Sequence, residues 1–202
     1  MNLKEIIGSV SEEQIKKCFP KATSENIKTY TLAFNKNFPQ YGLSTQRRIA
    51  CFLANVYVEC AGLTVFEEMK SKYNTDKELG DLYEGRKNLG NYVKGDGRRY
   101  MGRGILQLTG RYNYNLYGGK IGVDLVKYPE KALEPDCSVK IACQYWKDKN
   151  LNAHADAYTD ASLLKLTVAI NGKAALGHDS RVKHTNRILS ILKGEADGKA
   201  SS

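Results

Sequence analysis

The sequence predicts a mainly α fold, a single domain of packed helices with a long glycine-rich loop or small β segment beside them. Three observations carry this. Apolar residues recur at helical spacing in several separate segments. Between Lys70 and Gly110 that periodicity fails while glycines accumulate at 80, 85, 90, 95, 97, 102, 104 and 110. The composition, 42% apolar and 26% charged with 18 Gly and 4 Pro in 202 residues, is that of an ordinary folded chain. A chain of this length buries roughly 70% of its unfolded surface, enough for a core without disulfide or metal staples.

Taken in order, Ser11 with Gln14 three residues later has the form of a capping box ahead of Ile15, and Pro20 closes that helix. Ser24 is the expected cap of a second helix running to about Asn37, ahead of Pro39. After Ser44 and Thr45, the residues Ile49, Phe52, Leu53, Val56 and Cys60 form one stripe, so a core-facing helix is expected there, ending near Gly62. The stretch 70–110 is expected to be loop with short helical turns or small strands, and a run of that length is too long for a mere connector. Helical spacing returns after Pro135 with Val139, Ala142, Cys143 and Trp146. It continues over Ala161–Ile170 and again over Asp179–Lys193, where Val182, Thr185, Leu189 and Leu192 face inward. One domain over 1–194 is expected, its first 43 residues an N-terminal helical part, followed by a polar, disordered tail at 195–202.

Five cysteines (Cys18, Cys51, Cys60, Cys137, Cys143) are odd in number and lie mostly within the expected helices, which suits reduced, buried thiols rather than a disulfide framework. No Cys/His spacing fits zinc, and His154, His178 and His184 lie far apart, so neither metal nor organic cofactor is expected. Residues 1–14 contain no apolar core of signal-peptide length, and no stretch approaches the roughly 20 apolar residues that span a bilayer. Synthesis in the cytoplasm is the corresponding expectation. The net charge of +9 implies attraction to a polyanion: nucleic acid, an anionic membrane face or an acidic wall polymer.

Two clusters carry chemistry. Glu59 falls about 80° from the centre of the apolar stripe counted from Ile49, at the margin of the buried face, where partial burial favours the protonated form that a general acid needs. Glu68 is nine residues on. An unbroken helix would set the two on opposite faces, roughly 13.5 Å apart along the axis, but a break at Gly62 lets the chain fold back. Adjacent Glu67 competes for the second role. In Tyr100–Tyr114, Gln107 and Thr109 alternate with Leu106 and Leu108 as on a short extended segment. Tyr112, Asn113 and Tyr114 offer stacking faces and an amide, which together suit a sugar bearing N-acetyl groups.

The strings FLANVYVE at Phe52–Glu59, the pair Glu67–Glu68, GRGILQLTGRYNY at Gly102–Tyr114 and AING at Ala169–Gly172 resemble glycoside hydrolase family 19, in particular its phage endolysin branch. The resemblance implies a lysozyme-like, chitinase-type helical fold that hydrolyses β-1,4 bonds beside N-acetylated sugars. By position it implies Glu59 as general acid, Glu68 as general base and Thr109 as a holder of the attacking water. It also implies Gln107, Tyr112, Asn113 and Asn171 as sugar contacts, and Arg181 as partner of a catalytic carboxylate or support of its loop. Val58 stands where many relatives have His, and Lys173 follows Gly172 where many have a second Gly.

The function expected is hydrolysis of the glycan strand of bacterial peptidoglycan by a monomeric enzyme, drawn to the anionic wall or membrane surface by charge and reaching the wall through a pore such as a holin. A chitinase is the alternative within the same chemistry, and a non-catalytic wall-binding module lies outside it. A nucleic-acid-binding domain is a further alternative, since seven Lys or Arg and one acid lie between Arg86 and Arg111 with Tyr92 and Tyr100 interleaved. No helix-turn-helix, zinc or RNA-recognition signature accompanies that segment, so no nucleic-acid partner is expected.

Overall fold

The computed structural model describes residues 8–69 and 80–195. Residues 1–7, 70–79 and 196–202, which include part of the expected long loop and nearly all of the expected tail, lie outside that description. The described chain is helical: α1 Glu12–Cys18, α2 Ser24–Asn37, α3 Gln46–Glu59, α4 Asp96–Arg99, α5 Arg111–Ile121, α6 Pro135–Asp148, α7 Leu151–Ala157, α8 Asp160–Asn171 and α9 His178–Lys193. The β component is limited, among these residues, to two isolated antiparallel bridges, Glu67 with Arg103 and Arg103 with Leu108. By packing, the chain divides into two compact units, one formed by 1–64 with 146–202 and the other by Val65–Tyr145, with the division falling inside α6.

In the first unit, α1 starts with the expected capping box: Gln14 N–H donates to Ser11 Oγ at 3.1 Å and Ser11 N–H to Gln14 Oε1 at 2.9 Å. The cap of α2 is Thr23 rather than Ser24. Thr23 holds an extended backbone and accepts the Asn26 N–H at 3.2 Å, whereas Ser24 is already the first helical residue. Helix α3 buries more than a stripe, since every residue from Ile49 to Val56 is inside, so this is a central helix with neighbours all round. Phe52 touches Phe38 and Trp146 edge-on at 5.4 and 5.3 Å between centroids, a favoured aromatic geometry. Helix α9 runs along α3, burying Arg181, Thr185, Ile188, Leu189 and Leu192. Val182, expected inside, is half-buried, because the inner row begins at Arg181, four residues before Thr185.

Helix α7 is not legible in the sequence. Its seven residues bury only Leu151 and Ala155, too few to show a period, and it starts from Asn150 at φ +51° without a side-chain cap.

The second unit packs Tyr100, Leu108, Tyr114, Tyr117, Leu125, Ala132, Cys137 and Ile141 around one core. Helix α5 turns tyrosines rather than aliphatic residues inward, so its pattern is weak, and its cap Gly110 offers no side chain. Ahead of it, Gly104–Gln107 form a tight turn closed by paired hydrogen bonds between Arg103 and Leu108, at 2.8 and 3.1 Å. The extended alternation expected through Leu106–Thr109 is therefore wrong: Gln107 sits at φ +52°, which reverses the chain instead of extending it. The glycine-rich segment is stapled by carboxylates. Glu84 accepts the Gly95 and Gly97 N–H groups at 2.7 and 2.9 Å, and Asp96 those of Tyr92 and Val93 at 3.1 and 3.0 Å. All five thiols are buried and unpaired in disulfides, and no helix among the described residues is long and apolar enough to cross a membrane.

Candidate active site

Glu59 is the last residue of α3, and the helix stops there for a local reason. Ala61, Gly62 and Leu63 all take positive φ (+49°, +73° and +62°), so the chain leaves the right-handed path at once. Gly62 N–H closes onto the Tyr57 carbonyl at 2.8 Å, and Asn26 Nδ2 holds the Leu63 carbonyl at 3.0 Å. Two of these three residues carry side chains that disfavour this conformation, and burial of Leu63 stabilises it.

The Glu59 carboxyl, 17% exposed, receives Arg181 Nη2 on Oε1, and Arg181 Nη1 donates to Asn55 Oδ1 at 2.8 Å. Arg181 is 3% exposed and its Nε has no partner among the described residues. Asn55 is itself buried and anchored through Nδ2 to the Cys51 carbonyl at 2.8 Å. Asn55, one helical turn before Glu59, was not singled out from sequence. An amide inside I-A-C-F-L-A-N-V, on the same face as Glu59, is the signal that marks it.

In the second unit Glu68 is gripped by both main chain and side chain. Its N–H donates to the Gly102 carbonyl at 2.9 Å, and its Oε2 accepts the Gly102 N–H at 3.3 Å. Oε1 accepts the Tyr83 hydroxyl at 3.1 Å. Burial, with the Glu68 charge beside it, pushes the Tyr83 hydroxyl up to about 12, so it remains a donor at any working pH. Tyr83 was also missed, because a lone Tyr in an aperiodic stretch carries no pattern. Glu67 is committed elsewhere: Arg103 Nε binds its Oε1 at 2.8 Å, while Arg103 Nη1 holds the Tyr114 hydroxyl at 3.1 Å.

Gln107 and Thr109 do converge, though through a turn rather than a strand. A Cβ placed on Gly102 would lie 2.7 Å from Gln107 Oε1 and 3.3 Å from Thr109 Oγ1, so both polar groups stand over the residue that holds Glu68. Gln107 Nε2 is fixed by the Gly104 carbonyl at 2.9 Å, and the Thr109 hydroxyl donates to the Gln107 carbonyl at 2.9 Å. With its hydrogen so used, Thr109 Oγ1 can only accept. A water beside it must therefore donate to it, and its second hydrogen is available to a carboxylate. Asn113 Nδ2 binds the Thr109 carbonyl at 2.8 Å. Tyr112 stands 60% exposed at the start of α5. Tyr114, expected as a stacking face, is fully buried with its hydroxyl on the Met101 carbonyl at 2.8 Å, and cannot meet a ligand. Asn171 ends α8 exposed, with Oδ1 accepting the Leu176 N–H at 3.1 Å. No His/Cys/Asp/Glu group able to hold a metal occurs among the described residues.

The chain belongs to glycoside hydrolase family 19: the profile of that family, described as chitinase class I, matches residues 16–162. Glu59, Glu68, Gln107, Thr109, Tyr112 and Asn113 fall within the matched segment, and Asn171 and Arg181 beyond its end. Among individual proteins, the chain is similar to the acidic endochitinase SP2 of Beta vulgaris, 33% identical over 153 residues covering 75% of this chain and 49% of the plant protein. It is also 30% identical over 197 residues to a glycosyl hydrolase family 19 domain-containing protein of Haemophilus influenzae, covering 86% and 92% of the two chains. The chain thus spans about half the length of the plant relative and most of the bacterial one. In structure it is similar to chitinase C of Streptomyces griseus, with a TM-score of 0.67, 25% identity, and 94% and 95% of the two chains covered. Its helical fold is that of this family.

Proposed function

We propose that this protein hydrolyses β-1,4 glycosidic bonds of the bacterial peptidoglycan strand. The observation that carries the chemistry is the bracing of Glu68, which is held on both oxygens, with Thr109 Oγ1, which can only accept, standing over the same Gly102 that binds it. A water shared by Thr109 and Glu68 has both hydrogens engaged and a lone pair free for the anomeric carbon, the arrangement a general base needs. Glu59 in its acid form donates a proton to the leaving glycosidic oxygen, with Arg181 fixing its orientation through Oε1. Direct attack by the activated water makes this an inverting reaction. Gln107, Tyr112, Asn113 and Asn171 are the sugar contacts in this reading.

Peptidoglycan is favoured over a neutral polymer by the net charge of +9, much of it on residues 86–127. Chitin is the second reading, and the printed names of the plant and Streptomyces relatives favour it. Reducing-end mass spectrometry on purified peptidoglycan and on chitin oligomers separates the two. The expected result is wall fragments released by wild type and none by Glu59→Gln of verified fold. Wild-type rates for that variant would refute the acid assignment.

A further inference from the structure

Two depressions on the second unit, about 470 and 630 Å³, share Arg111 and Val126 and so form one trough. One end is lined by Lys87, Tyr92, Arg111 and Tyr112, and the other by Lys94 and Lys127. Tyr92 and Tyr112 hold their rings out to solvent, 71% and 60% exposed, yet their backbones are fixed. Tyr92 N–H is bound by Asp96 at 3.1 Å, and Tyr112 packs so closely on Gly90 that a Cβ there would come within 2.9 Å. Exposed rings on an immobilised backbone are ready to stack on a flat ligand at little entropic cost.

Basic groups outnumber acidic ones at the trough, where Lys87, Lys94, Arg99, Arg111 and Lys127 stand with Asp96 and Asp124. Lys87 and Lys94 have no ion pair among the described residues, and Arg111 meets the buried Asp96 only at 3.4 Å. Neutral N-acetylglucosamine polymers offer such cations no anionic group. The trough also adjoins the Glu68 machinery along the chain, for Arg111 and Tyr112 begin the helix that follows Thr109, so a strand at Thr109 has a short path to it.

We propose that this trough is a subsite for the carboxylate-bearing units of the peptidoglycan strand. Tyr92 and Tyr112 stack on sugar rings while Lys87 and Arg111 take the lactyl or stem-peptide carboxylates. The proposal rests on the peptidoglycan reading above and adds the group that is read. Single-stranded nucleic acid also combines stacking faces with anions, and is the outcome to be tested against.

The experiment is calorimetric titration of the whole protein with a disaccharide-tetrapeptide wall fragment and with the same fragment amidated at its carboxylates. Wild type should bind the acidic form about tenfold more tightly. Lys87→Gln should lose about threefold of that preference, the size of one exposed ion pair, and Lys87→Gln with Arg111→Gln should lose most of it. Lys87→Gln should still cut neutral N-acetylglucosamine oligomers at the wild-type rate. Equal affinity for the two forms, undiminished preference in the double variant, or displacement of the fragment by an equal charge concentration of oligothymidylate would overturn the subsite. Hydrolysis of intact peptidoglycan by wild type tests the parent reading separately. Wall hydrolysis without acid preference removes the subsite alone, and acid preference without wall hydrolysis removes the parent reading alone.

Discussion

The buried pair Arg181–Glu59 makes a sharp energetic prediction, because its two members have unequal means of escape. In Arg181→Met, Glu59 is left with a side chain that is 17% exposed, so water can reach it. In Glu59→Gln, the guanidinium is left 3% exposed, already lacking a partner at Nε, and it cannot lose its proton. Breaking a buried pair by removing one partner costs roughly 3–5 kcal/mol. The retained Gln oxygen and Asn55 Oδ1 put Glu59→Gln at the low end, about 3 kcal/mol. Solvent access to Glu59 lowers Arg181→Met further, to about 2 kcal/mol, most of it the loss of the charge-assisted bonds to Glu59 and Asn55. The double variant removes the stranded charge and should cost no more than Arg181→Met alone. For a chain of this length each kcal/mol moves the melting temperature by about 2–4 °C, so Glu59→Gln should melt about 6–12 °C low and recover on addition of Arg181→Met. Urea denaturation followed by circular dichroism measures all four corners of the cycle. Additive costs, or a double variant less stable than Glu59→Gln, would refute the account of Arg181 as a charge held in place by Glu59.

Two other outcomes follow from contacts in the structure. Gly102→Ala forces Gln107 Oε1 away from a contact of 2.7 Å while leaving the core untouched, so hydrolysis should fall about 10- to 100-fold, the cost of misplacing reacting groups by about 1 Å. Its melting temperature should stay within a few degrees of wild type, and an unchanged turnover would show that the Gly102 platform does not position the water. His184 stacks on Tyr57 at 3.9 Å between centroids, and burial together with Arg187 and Lys183 holds its ring below the usual imidazole value. The unfolded chain therefore takes up this proton first, and stability should fall as pH drops through the range just below 6.5. Histidine-resolved NMR titration with parallel melting curves checks this, and His184→Gln should remove that part of the pH dependence.

The helices that the sequence revealed are those whose signal is local. Ser11 with Gln14, Thr45, and the rows from Ile49 to Cys60 and from Val139 to Trp146 encode capping and periodicity in neighbouring residues, and these need no knowledge of the rest of the chain. Helices α5 and α7 escaped because one buries tyrosines and the other too few residues to set a period. The stop at Gly62 was legible for the same local reason, since a glycine after an apolar helix is the cheapest site for positive φ. Composition determined the charge surplus and the odd number of thiols, and periodicity the mainly helical core.

What only the tertiary structure decided is which polar groups meet. Glu67 and Glu68 are adjacent and chemically identical, and nothing in their order distinguishes them. Arg103, 36 residues beyond Glu67, engages that carboxylate, while Tyr83 and Gly102 converge on Glu68. Arg181 reaches Glu59 and Asn55 across more than 120 residues. Gln107 and Thr109 reach a common point because a left-handed residue reverses the chain, the opposite of the extended path their spacing suggests. A hydrogen bond acts only at contact distance, and contact between residues far apart in sequence is settled by the packing of the elements that carry them. The sequence therefore determined which chemical groups this protein possesses and which helices present them, and the fold determined which carboxylate is committed to Arg103 and which is braced by Tyr83 and Gly102.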